Sequence, residues 1–294
     1  MTALLESPEA PAARTRRPAA WLWVLPPLLV VLLTVLYPLL RVLAESWTGD
    51  SWTQVLASTL FRDALWRTVT IAAASTAGAL VLGTFLAIVL AFVPFRGSTV
   101  IGRLIDTVLA LPSFLITLAF TFLYGSAGAV NAALSALTGD PAPLLDFLYT
   151  PAGVIAAEVT FFTPFVVRPL LAAFSLIPRA HLDVAASLGA SPWTVLRRVV
   201  MPEAWPALAA GGSLVLLLTL NEFGIVLFTG AKGVITLPVL IYTRGIVTFD
   251  LPGAAVIATV QVALSLLLYA GYRVAFARMT TRRGSGDAAV EQPR

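Results

Sequence analysis

Two carboxylates, Glu158 and Glu222, stand inside long apolar stretches of this 294-residue sequence. An ionisable group is costly to bury in such a place, so it points to work on a charged solute, a proton or an ion. Thr160, Thr163, Asn221 and Gln261 add neutral hydrogen-bonding groups to the same stretches, and Arg168 adds a cation. Glu158, Thr163, Asn221, Glu222 and Gln261 are therefore the candidates for lining a route through the membrane. Polar contacts that merely hold helices together would use the same residue types. Covalent and metal chemistry find no footing. There is no cysteine and a single histidine, His181, which excludes thiolate nucleophiles, a His-Glu-x-x-His zinc site and a Ser–His pair at depth. A Gly-x-x-x-x-Gly-Lys-Ser/Thr phosphate loop is also missing; the nearest stretch is Gly230-Ala231-Lys232-Gly233. An ion relay through Glu158, Arg168 and Glu222 would suit a secondary transporter. The internal repeat common in such folds is not evident.

These side chains must be positioned by membrane helices. The chain is 59% hydrophobic and 12% charged, which rejects a soluble domain. Runs of about 20 apolar residues suffice to cross a hydrocarbon core of ~30 Å. Six such spans are predicted, at 19–43, 69–93, 104–124, 152–177, 206–230 and 252–276. The first is too long for a signal peptide and reads as a retained span. The expected organisation is an N-terminal tail over 1–18, a six-helix domain over 19–276 and a C-terminal tail over 277–294. If the N-terminus is cytoplasmic, fourteen of the nineteen basic residues fall on the cytoplasmic side. That asymmetry places both termini inside the cell. It also explains the net charge of +4 without nucleic acid. Residues 125–150 hold no Lys or Arg and suit an external loop. Pro112, Pro164 and Pro169 fall within spans, where neighbouring groups re-satisfy the backbone. Ala209, Ala210, Gly211 and Gly212 suit close helix contact.

One cytoplasmic stretch reads differently. Residues 179–202 have the grammar of two short helices and a turn. Pro178 ends the fourth span, and a helix is predicted over 179–188. Gly189 follows where a left-handed residue commonly stops a helix. Ser191 suits an N-cap and Pro192 a first helical position. A second helix runs from Trp193 toward Val200, and Met201-Pro202 is expected to end it. Leu182, Ala185, Ala186 and Leu188 form a small apolar stripe that needs a partner surface. Arg197 and Arg198 suit lipid headgroups or an acidic partner.

This loop resembles the one carried by ABC importer permeases: Glu-Ala-Ala, three residues, Gly, nine residues, Ile, one residue, Leu-Pro. Asp183, Val184 and Ala185 stand at the first three positions, Gly189 at the Gly, and Val199, Met201 and Pro202 at the last three. The resemblance in span number and loop placement covers about 19–276. It implies an all-α integral membrane protein of the type I importer permease fold in a bacterial inner membrane. It further implies a homodimer or a pair with a paralogous permease, two copies of a separate ABC ATPase, and an extracytoplasmic solute-binding protein. ATP and Mg would be bound by that ATPase; the chain itself would hold no cofactor and catalyse nothing. Asp183, Ala185, Ala186, Leu188, Gly189 and Pro202 would then couple the spans to the ATPase. The run Asn221-Glu222-Phe223-Gly224, followed by Thr236-Leu237-Pro238, is similar to permeases for oxyanions, iron and related solutes. The longer FGIVLFTGAKG run most resembles permeases for 2-aminoethylphosphonate. Sulfate or molybdate, iron, thiamine and polyamines stay open as alternatives.

Overall fold

Within hydrocarbon only a helix or a closed barrel satisfies every backbone N–H and C=O. The computed structural model describes residues 20–140 and 142–288, with side chains for 23–140 and 142–278, and every regular element among them is helical. Six segments are long and apolar enough to cross a membrane: Trp23–Ser46, Thr59–Phe92, Ser113–Thr138, Pro151–Ser175, Pro192–Leu220 and Leu251–Arg278. The tail expected over 1–18 lies outside the described residues.

The first span is α1 (Ala20–Ser46), helical through Pro26, Pro27 and Pro38. A short α2 (Ser51–Ala57) precedes α3 (Thr59–Phe92). Helix α3 begins ten residues before the span expected at 69, because a helix need not stop at the membrane edge. Its start is set by Ser58, whose hydroxyl accepts the Phe61 N–H at 3.4 Å. The span expected over 104–124 is instead two helices, α4 (Ser98–Leu109) and α5 (Ser113–Tyr124), parted at 110–112. Pro112 takes an extended conformation and has no N–H to continue the ladder. The apolar segment then continues into α6 (Ala129–Thr138), inside the stretch expected as loop.

The fourth span is α7 (Pro151–Phe162) and α8 (Pro164–Ser175), jointed at Thr163 before Pro164. Two short helices follow, α9 (Arg179–Ser187) and α10 (Pro192–Val195). The expected stop at Met201-Pro202 does not occur. Residues Leu196–Val200 form a π turn that runs into α11 (Met201–Leu220). The wide turn carries the Met201 N–H to the Leu196 carbonyl, so the chain enters the proline without breaking. The fifth span also ends sooner than expected. Helix α11 stops at Leu220, and a separate α12 (Gly224–Thr229) follows. After α13 (Leu237–Tyr242) comes α14 (Leu251–Ala288). The first part of the stretch expected as C-terminal tail is thus a continuation of α14.

The core lies where α3, α7, α8 and α11 meet, around Phe162, Val166, Leu170 and Val215. Lipid tails are as apolar as Leu, so helices associate in a bilayer largely by close packing. Glycines permit it here. A Cβ on Gly211 would lie 3.3 Å from the Phe165 carbonyl and 3.4 Å from Val166 Cα. A Cβ on Gly83 would lie 2.7 Å from Val166 Cβ. Gly83→Leu is therefore expected to cost about 2 kcal/mol, within the usual range for overpacking. The same change at Gly271, where a Cβ meets nothing within 4 Å, is expected to cost little. Thermal unfolding of both variants in detergent checks this.

Candidate functional site

The 179–202 loop is held in shape by local bonds. Gly189 sits at φ +77°. Its N–H donates to the Ala186 carbonyl at 2.9 Å, and the Ala190 N–H donates to the Ala185 carbonyl at 3.1 Å. This bond pair closes a helix end around a left-handed residue, where glycine carries no Cβ penalty. The Ser191 hydroxyl accepts the Thr194 N–H at 3.3 Å and starts α10, with Pro192 in its first turn. Leu182 and Ala185 are half-buried. Asp183, Val184 and Ala186 are exposed, and Leu188 is 82% exposed at the tip. Trp193 is also exposed. An apolar groove of about 580 Å³ opens between this loop and the end of α3, lined by Phe92, Leu182, Ala186, Trp193 and Leu196 among others. Pro202 stands apart, in the first turn of α11.

A second polar cluster sits where α11 breaks. The Asn221 amide donates to the Leu217 carbonyl at 2.8 Å. From α14, the Gln261 amide donates to the Leu220 carbonyl at 2.7 Å and reaches Asn221 Oδ1 at 3.5 Å. Glu222 Oε1 accepts the Ile225 N–H at 2.8 Å and the Ser113 hydroxyl at 3.0 Å. One carboxylate oxygen thus caps α12 and ties it to α5. A Cβ on Gly224 would stand 3.0 Å from Ser113 Oγ and 3.3 Å from Glu222 Oε1, so glycine keeps this meeting point open. Below it, the Thr117 hydroxyl donates to the Ile225 carbonyl at 3.4 Å, and the rings of Phe114 and Phe228 lie 5.5 Å apart.

Glu158 and Thr163 lie behind this cluster, and the Glu158 carboxyl is close enough to Glu222 for their charges to interact. Glu158 is fully buried, and neither of its oxygens has a hydrogen-bond partner within the protomer. The Ser75 hydroxyl, also buried without a partner, is close enough to interact with it. Thr163 donates to the Val159 carbonyl at 2.6 Å and serves the joint of its own span. The structure therefore gathers Asn221, Glu222 and Gln261, and leaves Glu158 and Thr163 in the packed interior. It adds three residues that sequence reading passed over: Ser113, Ser75 and Asp106. Asp106 forms an ion pair with Arg168. A signal existed for one partner, since Arg168 is a lone charge well inside an apolar run, whereas Asp106 follows Arg103 by three residues at the edge of its own.

A helical membrane subunit with two broken spans and a built loop between its fourth and fifth spans has the architecture of a transport permease. Residues 79–281 match the family described as "binding-protein-dependent transport system inner membrane component", and the chain belongs to that family. It is the permease component of an ABC importer. A Salmonella paratyphi A relative, named as the permease PhnU of a 2-aminoethylphosphonate transport system, is 49% identical over 268 residues, covering 89% of this chain and 93% of its own. Among solved structures, a bacterial ABC transporter that imports the acidic polysaccharide alginate shares the fold. Its TM-score is 0.78 at 18% identity, over 88% of this chain and 95% of that one. The same kind of transporter in complex with a pentasaccharide-bound periplasmic protein gives 0.74 at 21% identity, over 88% and 95%.

Proposed function

We propose that this permease imports 2-aminoethylphosphonate, with both termini and the 179–202 loop on the cytoplasmic side. It works as one of two permease subunits, either two copies of this chain or this chain with a paralogue. A separate ATPase dimer binds ATP and Mg beneath them, and an external binding protein delivers the solute. The observation that carries the substrate is the 49% identity with the phosphonate-system permease over 89% of the chain. Coupling is assigned to Asp183, Ala185, Ala186, Leu188 and Gly189, with Pro202 behind them. Its support is the exposed apolar tip of α9, a surface too small to be a core and too apolar to be left in water.

The solute is a zwitterion, so its route needs acceptors for an ammonium and donors for a phosphonate. The cluster of Asn221, Glu222 and Gln261 at the break in α11 supplies both kinds of group. Glu158 and Thr163 shape the helices behind it. Holding must be weak, because a pathway has to release its cargo. Substrate identity is checked by uptake of labelled 2-aminoethylphosphonate into vesicles containing the permease, its ATPase and its binding protein. ATP-dependent uptake is expected. Transport of sulfate, thiamine, iron or polyamines in its place would contradict the substrate, and uptake driven by an ion gradient without ATP would contradict the coupling.

A further inference from the structure

We infer that the Arg168–Asp106 ion pair is a transmission joint, through which movement of the coupling loop reaches the polar cluster at the break in α11. This rests on the coupling role proposed for α9. Arg168 lies seven residues before the end of α8, roughly 10 Å at 1.5 Å per residue. Helix α8 runs almost directly into α9, so any displacement of the loop is felt at Arg168. The Arg168 guanidinium pairs with Asp106 and also donates to the Gly102 carbonyl at 3.4 Å, both on α4. Helix α4 has no buried residue of its own, and α8 is the helix it chiefly packs against. The ion pair is thus the directional bond in a contact that otherwise rests on a few half-buried side chains such as Ile105 and Val108.

Seven residues beyond Asp106, across the Pro112 break, stands Ser113. It holds Glu222, and α5 is bound to α12 by the further Thr117–Ile225 and Phe114–Phe228 contacts. Two routes therefore leave the coupling loop. One is the continuous helix α11. The other is α8, the ion pair, α4 and then α5. Both arrive at residues 222–225. A difference in movement between the two arms is taken up at the break, where Asn221 and Glu222 lie. The side chains of the pair are 42% and 44% exposed on the protomer. Ionised groups of a membrane subunit face water or protein rather than lipid, and the pair lies between two helices. Arg168 and Asp106 are positioning residues in this scheme and need not touch the solute.

The test uses the permease reconstituted with its ATPase and binding protein, with uptake and ATP hydrolysis read together. Arg168→Gln and Asp106→Asn are each expected to lower uptake per ATP about tenfold, with assembly and hydrolysis retained. The charge-exchanged double variant, Arg168→Asp with Asp106→Arg, is expected to recover most of the loss, as a direct pair in a mutant cycle should. The chain has no cysteine. Arg168→Cys with Asp106→Cys, bridged by a short bis-methanethiosulfonate that forms one disulfide to each thiol and releases two methanesulfinates, therefore provides a second restoration that does not depend on charge. Recovery by either route supports the joint. Normal uptake per ATP in both single variants would overturn it, as would parallel loss of uptake and hydrolysis with no recovery by exchange or bridging. Gly189→Pro run alongside separates the two claims. If it uncouples and the ion-pair variants do not, the joint fails and the loop assignment stands; if Gly189→Pro is silent, the loop assignment itself fails.

Discussion

Gly189→Pro is expected to leave the protein inserted and folded and to lower solute uptake at least about tenfold while ATP hydrolysis continues, a loss of ~1.4 kcal/mol or more in coupling. The residue occupies φ +77°, whereas proline is locked near −65°. Proline also deletes the N–H that donates to the Ala186 carbonyl, so the end of α9 and the direction of the chain into α10 both change. The strain is local, on the order of 1–3 kcal/mol. A Cβ at Gly189 meets nothing within 4 Å, so no packed core is disturbed. Gly189→Ala should give a smaller loss, because it keeps the N–H and costs only about 1–2 kcal/mol in the left-handed region. The check is uptake and ATP hydrolysis in the same vesicles, with insertion scored separately. Equal coupling in all three proteins would remove the loop from the mechanism.

At Glu222, two substitutions divide structure from charge. Glu222→Ala strips the acceptor from the Ile225 N–H and the Ser113 hydroxyl together. The Ile225 N–H is a buried donor, and one left alone costs about 1–3 kcal/mol. The variant is expected to lose thermal stability and nearly all uptake. Glu222→Gln retains an oxygen where Oε1 stands and so keeps both bonds, but it removes the negative charge. Its stability is expected to stay near that of the parent, with uptake about tenfold lower, the loss of one charge-assisted contact to the ammonium. Thermal unfolding paired with uptake reads both effects. Full uptake by Glu222→Gln would make Glu222 a structural cap only.

The 179–202 loop was legible because its signals are local. Gly189, Ser191 and Pro192 each dictate a backbone conformation from their own covalent structure, and the bonds found around them are those expected. The spans were legible as apolar runs but not as helices of defined length. Hydropathy is the same for a continuous helix and for one broken at Pro112 or at Asn221, so both breaks were absorbed into spans. Arg62, Asp63 and Arg67 masked the early start of α3, because charge marks the membrane boundary and not the helix boundary. Met201-Pro202 misled for a different reason: a π turn can admit a proline that an α-helical register would reject. The polar cluster was half visible. Asn221, Glu222 and Gln261 stood out as polar residues in apolar runs, whereas Ser113 and Ser75 matter only through what tertiary packing sets opposite them.

The claim on which the rest depends is that α9 faces the cytoplasm and grips an ATPase. Leu188→Cys, as the sole cysteine of the chain, tests it in intact cells with a thiol-to-amine cross-linker and a membrane-impermeant thiol label. The expected result is an adduct with the ATPase subunit and no labelling from outside. Labelling from outside, with no adduct to any cytoplasmic subunit, would contradict it.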